Sequence, residues 1–214
     1  MKWPEIEAVC KSLETPEGYH IRAMSLCDVA VVTQKLREEY PDIQTGSESV
    51  HLKISHYIDN CKLAETEVEK DYLAVVFCKG SEIAGMMTMK KDPLAKTLLG
   101  TMGCVFKEHR GAGLGVMGNE FFLECARLLK AGLAYTFVTT THPYEQLAIE
   151  RAGFSPVGIV PAFDIDTING VSEKRVFEVL YVKVLCDQSE ISFPTTESLS
   201  PKCRELYSTL FSPR

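Results

Sequence analysis

The sequence predicts an α/β (α+β) fold: a mixed, mostly antiparallel central sheet of about seven strands flanked by helices, in the order β-α-α-β-β-β-α-β-α-β-β. Three observations predict it. Strand-like runs from Tyr72 to Lys79, Ile83 to Lys90 and Leu98 to Phe106 follow one another through short turns. Runs joined this tightly pair antiparallel. From residue 113 onward helical and strand-like runs alternate instead, which demands a crossover and a parallel step. Composition sets the scale: 214 residues, 45% hydrophobic and 24% charged, fit one substantial globular domain.

Each element has its own signal. Residues 1 to 18 are partly helical and break at Pro16-Glu-Gly18, after which Tyr19 to Met24 alternates as a first strand. Ser25 to Tyr40 suits a helix closed by Pro41, because the residue before a proline avoids helical backbone. A second helix is expected from about Ser47, with Val50, Ile54, Tyr57, Ile58 and Cys61 on one face at helical spacing. Lys79-Gly-Ser81 and Lys91-Asp-Pro93 carry turn residues between the three central strands. A helix from Gly113 to about Lys130 stops before Gly132, and Ala134 to Thr140 is the fifth strand. Pro143 then sits well for a first helical turn, with Glu145 just behind it. That helix ends at Gly153; a sixth strand runs from Phe154 to Ile165, Asn169-Gly170 turns the chain, and Arg175 to Leu185 is the seventh. Residues 1–185 form the domain and 186–214 an extension. The extension ends in a short helix capped by Ser200, with Pro201 first and Cys203, Leu206, Tyr207, Leu210 and Phe211 on one face. That stripe is expected to pack against the domain or a second subunit.

The most informative run is Val105-Phe-Lys-Glu-His-Arg110-Gly-Ala-Gly113-Leu-Gly115, lying between a strand and a helix. Glycines let main chain approach a ligand closely. The first helical turn offers unpaired N–H groups and a positive dipole end to an anion. Arginine adds a cation with a planar fork of donors. Gly113-Leu-Gly115-Val-Met-Gly118 also fits the dinucleotide fingerprint letter for letter. That motif needs an acid about 20 residues on, after the next strand. Here the next strand ends in threonines and a histidine, and a ligand-free glycine turn leaves the arginine unexplained.

Arg110, Gly113 and Gly115 make an Arg-x-x-Gly-x-Gly pattern. With it, the chain resembles the GNAT superfamily of acetyl-coenzyme A-dependent N-acyltransferases. Glu150-Arg-Ala-Gly153-Phe154-Ser-Pro-Val-Gly158 is similar to the Gly-Phe passage of that family, and the element order agrees over residues 19 to 185. The resemblance implies a GNAT fold with acetyl-CoA as co-substrate and no metal. It implies that main chain at Gly103, Cys104 and Val105 pairs with the pantetheine arm, and that an amide near Cys104 or Val105 polarises the thioester. Arg110, Gly111, Ala112, Gly113, Leu114 and Gly115 would hold the pyrophosphate. Relatives often carry proline where this chain has Lys107. The proton donor of the family, a tyrosine five residues before the Phe, falls on Ile149, which cannot donate. His142, at a junction where relatives often have asparagine, and Tyr144 in the following turn are the candidate catalytic groups. Histidine ordinarily titrates near neutrality.

Acids outnumber bases 29 to 23, for a formal net charge of −6. That argues against a general nucleic-acid binder and suits a cationic acceptor. No apolar run is long enough to span a bilayer, and the N-terminus lacks a signal-peptide core, so the expectation is a cytoplasmic protein, monomeric or homodimeric, without membrane or nucleic-acid partners. Eight cysteines form no C-x-x-C pair and five histidines no H-x-x-x-H, which argues against zinc. The cysteines read as small hydrophobes in a reducing compartment. Glu38, Glu39, Asp42, Glu48, Asp164 and Asp166 are expected to face water, as are Glu108 and His109. The function expected is transfer of an acetyl group to a primary amine of a small molecule or protein, by direct attack in a ternary complex. A catalytically weak acyl-CoA-binding sensor is the alternative, favoured by Ile149, and a nicotinamide-dependent dehydrogenase ranks below both.

Overall fold

Alternation in the central hairpins becomes a sheet whose two faces are both covered. The computed structural model describes residues 1–168 and 170–211. The expected turn residue Asn169 lies outside them. Eight strands are present: β1 (Tyr19–Ala23), β2 (Cys61–Lys62), β3 (Tyr72–Lys79), β4 (Glu82–Asp92), β5 (Thr97–Val105), β6 (Leu133–Thr139), β7 (Ser155–Ile168) and β8 (Ser172–Val184). Their order in the sheet is β1-β3-β4-β5-β6-β8-β7, with the two-residue β2 added in parallel to β3. All pairs on this path are antiparallel except β5–β6. The order matches the sequence reading; β2 is one strand more than it predicts, too short to leave a periodicity.

Six α-helices flank the sheet: α1 (Ile6–Cys10), α2 (Leu26–Glu39), α3 (Ile54–Asn60), α4 (Leu114–Leu128), α5 (Tyr144–Arg151) and α6 (Pro201–Phe211). Ser25 and Asp28 close α2 with a capping box, and Arg22 grips the same carboxylate through both terminal nitrogens. One core lies under α1, α4 and α5, around Phe77, Leu98, Phe121, Phe122 and Ile149. The other lies under α2 and α3, around Val32, Leu36, Tyr57, Met86 and Phe106. Successive residues of β3 and β4 feed opposite cores, as a doubly covered strand must.

Two expectations are corrected. The helix expected from Ser47 is a 3-10 segment, Ser47–Leu52, broken at extended Lys53 before α3. Tyr57 and Cys61 are buried as expected, but Ile54 and Ile58 are about half exposed. Helical spacing does not distinguish one continuous helix from two short pieces of different pitch. Secondly, α6 starts as expected, with Cys203 N–H donating to Ser200 Oγ at 3.3 Å, but none of its described side chains is buried. Its apolar stripe therefore does not join either core.

Cysteines 61, 78, 104 and 125 are buried, and all eight are free thiols. No described helix is long and apolar enough to cross a membrane. Gly85 is required where β4 passes between β3 and β5, beside the bulge that opposes Phe77 to Gly85 and Cys78 to Ile83. A Cβ there would lie 2.4 Å from the Cys104 carbonyl oxygen and 3.0 Å from the Phe77 ring. Gly85→Ala should therefore cost about 2 kcal/mol through overpacking, read as a fall in Tm of roughly 4–8 °C.

Candidate active site

The cleft begins where β5 and β6 part. They pair over only four residues, from Thr97–Leu133 to Gly100–Thr136. Beyond that, β6 stays with β8 through Thr139 while β5 follows β4 through Val105. Phe106 N–H donates to the Ala84 carbonyl at 2.9 Å. Antiparallel alternation from that pair points the main chain of Cys104 at β4 and that of Gly103 and Val105 into the gap. The Cys104 thiol sits in the α2-side core, where burial pushes it up to about 12. The Val105 carbonyl is already bonded, by Tyr40 O–H at 2.6 Å and Arg110 Nε at 3.1 Å.

At the open end the chain turns through a 3-10 segment, Lys107–His109, into α4. Gly111 and Gly113 are left-handed, at φ 82° and 84°. Gly113 is the N-cap of α4 and no side chain bonds the helix end, so its first amides are free for an anion. Leu114 is buried as an anchor, and Gly115 lets α4 approach α5: an added Cβ would meet Ala148 at 3.4 Å. Arg110 is half exposed, 5.3 Å over the Tyr40 ring and 3.9 Å from Glu39. Glu39, expected to face water, instead accepts from Lys107 N–H at 2.6 Å and ties the turn to α2. His109 was also expected in solvent, but it is buried with Nδ1 3.1 Å from Tyr19 Oη and Nε2 3.4 Å from Glu82. Glu108 is exposed as expected.

Inside the cleft is a cavity of about 170 Å³ whose wall includes Met87, Gly103, Asn119, His142 and Glu145. His142 reaches this wall; Tyr144 tilts against it at 5.2 Å but is 75% exposed and outside the cavity lining. Ile149 is fully buried in the α4-side core. One turn earlier on the same face of α5, Glu145 Oε1 accepts from Asn119 Nδ2 at 2.8 Å, and burial pushes this carboxyl up to about 7. The sequence reading used Glu145 only as a helix-start residue. Its signal was its place four residues before Ile149.

A second cavity of about 250 Å³ shares Glu48, Gly100, Thr101, Phe137 and Glu178 with the first. Four carboxylates gather around the two, correcting the solvent-facing reading of Glu48, Asp164 and Asp166 and adding Glu178, which it missed. Asp164 is tied down, accepting from Ser47 N–H at 2.9 Å, from Ile165 N–H at 2.8 Å and from the Ser47 hydroxyl. The others are held well above the usual carboxylate range. Burial, then Glu178, Asp166 and Asp164, push Glu48 up to about 8. Burial, then Asp164 and Asp166, push Glu178 up to about 7. Burial, then Asp164 and Asp42, push Asp166 up to about 6.

No family model matches the sequence, and no curated protein sequence does. Solved structures do match in shape. A ribosomal L7/L12 alpha-N-protein acetyltransferase in complex with coenzyme A superposes with a TM-score of 0.60 at 12% identity, over 81% of this chain and 97% of that one. The dodecameric spermidine N-acetyltransferase from Vibrio cholerae gives 0.59 at 14%, over 78% and 94%. A GNAT-family protein from Desulfovibrio desulfuricans gives 0.56 at 17%, over 78% and 98%. Identities this low establish the architecture, and the architecture is the GNAT fold.

Glu178 gives a stability test. Folded, it binds its proton more tightly than unfolded, so folding free energy is lost as pH rises from about 4.5 and the loss is complete above about 7. Glu48 and Asp166 face it with raised carboxyls of their own and act with the same sign. Glu178→Gln should match the wild type in Tm near pH 4.5 and exceed it at pH 8. A gap that does not widen with pH would place Glu178 in water.

Proposed function

We propose that the protein is an acetyl-CoA-dependent N-acetyltransferase that acetylates a primary amine of a small molecule or protein within a ternary complex. The divergence of β5 and β6 above the glycine turn carries this reading. It leaves the main chain of Gly103 and the Val105 N–H to take an extended thioester arm like an added strand. It also aims left-handed Gly111 and Gly113, the uncapped end of α4 and the Arg110 guanidinium at the place where a pyrophosphate would lie. Space above Gly111 is open, with no atom within 4 Å of an added Cβ. The solved neighbour that holds coenzyme A supports the same reading.

Acetyl-coenzyme A supplies a thioester whose carbonyl carbon takes the amine nitrogen as the carbon–sulfur bond breaks. The incoming ammonium sheds one proton before attack and a second from the nitrogen after it; the thiolate takes up one, and one is released to solvent. Val105 N–H, facing the gap, is placed to polarise the thioester carbonyl. Glu145 is the donor this geometry favours: it lines the cleft, and near neutral pH its carboxyl retains a share of protonated form. In this reading Glu145 serves where Ile149 cannot. His142, on the cavity wall with Tyr144 tilted beside it as a positioning residue, is placed to take the ammonium proton. The alternative, an acyl-CoA-binding sensor, draws on Ile149 alone, and Glu145 weakens it.

Saturating acetyl-CoA at about 100-fold over its Kd should add about 2.7 kcal/mol, a rise in Tm of roughly 5–10 °C. NAD should give no rise, and Arg110→Ala should weaken the effect at equal ligand. Absence of any rise would sink both the enzyme and the sensor readings. With an amine panel, Glu145→Gln should lower kcat by about 100-fold and leave coenzyme A affinity unchanged. Coenzyme A binding without turnover of any amine would favour the sensor.

A further inference from the structure

We propose that His109 is a positioning residue that links coenzyme A binding to the uptake of a proton. The pyrophosphate turn is carried on its imidazole, and the imidazolium form, held between Tyr19 and Glu82, binds the cofactor more tightly. The link rests on the acetyl-CoA reading of that turn.

The main chain of His109 builds the turn. Its N–H donates to the Phe106 carbonyl at 2.9 Å, and its carbonyl accepts from Ala112 N–H at 3.4 Å. Arg110, Gly111 and Gly113, the groups aimed at the anion, follow directly in the chain. The side chain is 5% exposed and anchored against two strands. Nδ1 lies 3.1 Å from Tyr19 Oη on β1, the two rings meeting edge to face at 5.8 Å. Nε2 lies 3.4 Å from Glu82 Oε1 at the start of β4. A shift of the ring therefore shifts the turn.

The ring has room for one more proton. Nε2 is buried without a hydrogen-bond partner among the described residues, although a carboxylate oxygen stands close by. A neutral imidazole has one donor and one acceptor nitrogen, whereas an imidazolium has two donors. With the second proton, taken from solvent, Nδ1–H donates to the Tyr19 hydroxyl oxygen and Nε2–H to Glu82. Both nitrogens are then satisfied, and Glu82, whose side chain is 57% exposed, stays solvated.

The charges around the ring decide when that proton is held. Lys79 lies 5.4 Å over the Tyr19 ring, and Lys107 and Arg110 belong to the same turn. Lys35, on α2, reaches Glu108 at 4.0 Å. These four cations oppose a further positive charge. Glu82 and Glu108 favour it, as do Glu39, 3.9 Å from Arg110, and Glu17, which follows Pro16 where that ring packs on Gly113. Four acids against four bases leave the set formally neutral. A pyrophosphate adds two negative charges, and Arg110 is already shared with Glu39. The added negative potential favours the imidazolium, and by linkage the imidazolium favours the anion. A histidine that served packing alone would leave the proton count of binding unchanged.

The test is calorimetric titration of the intact chain with coenzyme A at pH 6, 7 and 8, each in two buffers of different ionisation enthalpy. The buffer-dependent heat counts the protons taken up. Wild type should bind roughly 10-fold more tightly at pH 6 than at pH 8. The 3′-phosphate of coenzyme A and Glu145, pushed up to about 7, exchange protons in the same range. The assignment therefore lies in the difference between wild type and His109→Gln, to which those groups contribute equally. His109→Gln should lose most of the tightening at pH 6 and take up fewer protons at pH 7. Glu82→Gln, at an exposed position, should reduce both in the same direction, and it carries the comparison if His109→Gln does not fold. An equal proton count and an equal pH profile in wild type and the folded variants would overturn the link while leaving coenzyme A binding intact. No binding of coenzyme A by wild type at any pH would defeat the acetyl-CoA reading and the link with it, so the two failures are distinct.

Discussion

The site depends on a single interruption in the sheet: after four paired residues, β5 and β6 stop bonding each other. A sheet edge inside a domain is expensive, because each unpaired N–H or C=O in a dry interior forfeits its hydrogen bond. The fold keeps this edge by holding both strands from their other sides, β5 along β4 to Val105 and β6 along β8 to Thr139. Tyr40 and Arg110 then satisfy the Val105 carbonyl at the end of the gap. The gap can stay open because its rims are rigid. The same divergence determines what lies on each side. Below it, β5 leads into the glycine turn and α4; above it, β6 leads into α5. Residues from two crossovers, Asn119 and Glu145, are thereby brought to one wall, as expected of open α/β sheets where ligands sit at strand C-terminal ends.

Much of this was legible in the sequence, for identifiable reasons. Period-two runs in β3, β4 and β5 are local signals, as are Ser25 before α2 and Gly153 after α5. The run from Arg110 to Gly115 is local too, because an anion turn is made by consecutive main chain. Even there the glycines divide their work: Gly111 and Gly113 adopt left-handed backbone, whereas Gly115 serves the contact of α4 with α5. The break at Lys53 was hidden because a 3-10 turn and an α-turn place apolar residues on similar faces over so short a span.

The acidic chamber was not legible, since nothing local unites Glu48 with Glu178, 130 positions apart in the chain. Charges on a helix or strand usually face water, and each acid taken alone fits that rule. Convergence comes from the long β7–β8 hairpin folding back beside the 3-10 segment that follows α2. Thr45 and Ser47 dock on β7, the first by its hydroxyl at 3.3 Å from the Ile165 carbonyl. Gly46 allows that approach: at φ 73°, an added Cβ would lie 2.3 Å from the same carbonyl oxygen. A register of this kind is a property of tertiary packing.

Within the chamber the acids are not equivalent, and the difference separates structure from function. Asp164 is buried but accepts from two amides and a hydroxyl, and those bonds fasten the 3-10 segment to β7. Such a carboxylate is satisfied whether or not a ligand arrives. Among the described residues Glu48 and Glu178 have no such donors, and their proximity to each other and to Asp166 raises the cost of charging any one of them. Replacing either by glutamine would keep its shape and remove that cost, so stability alone argues against the residues present. Of the four acids, Glu48 and Glu178 line both cavities, so any charge they carry faces open space. The fold thus uses one acid to join its parts and leaves two at the wall of open space.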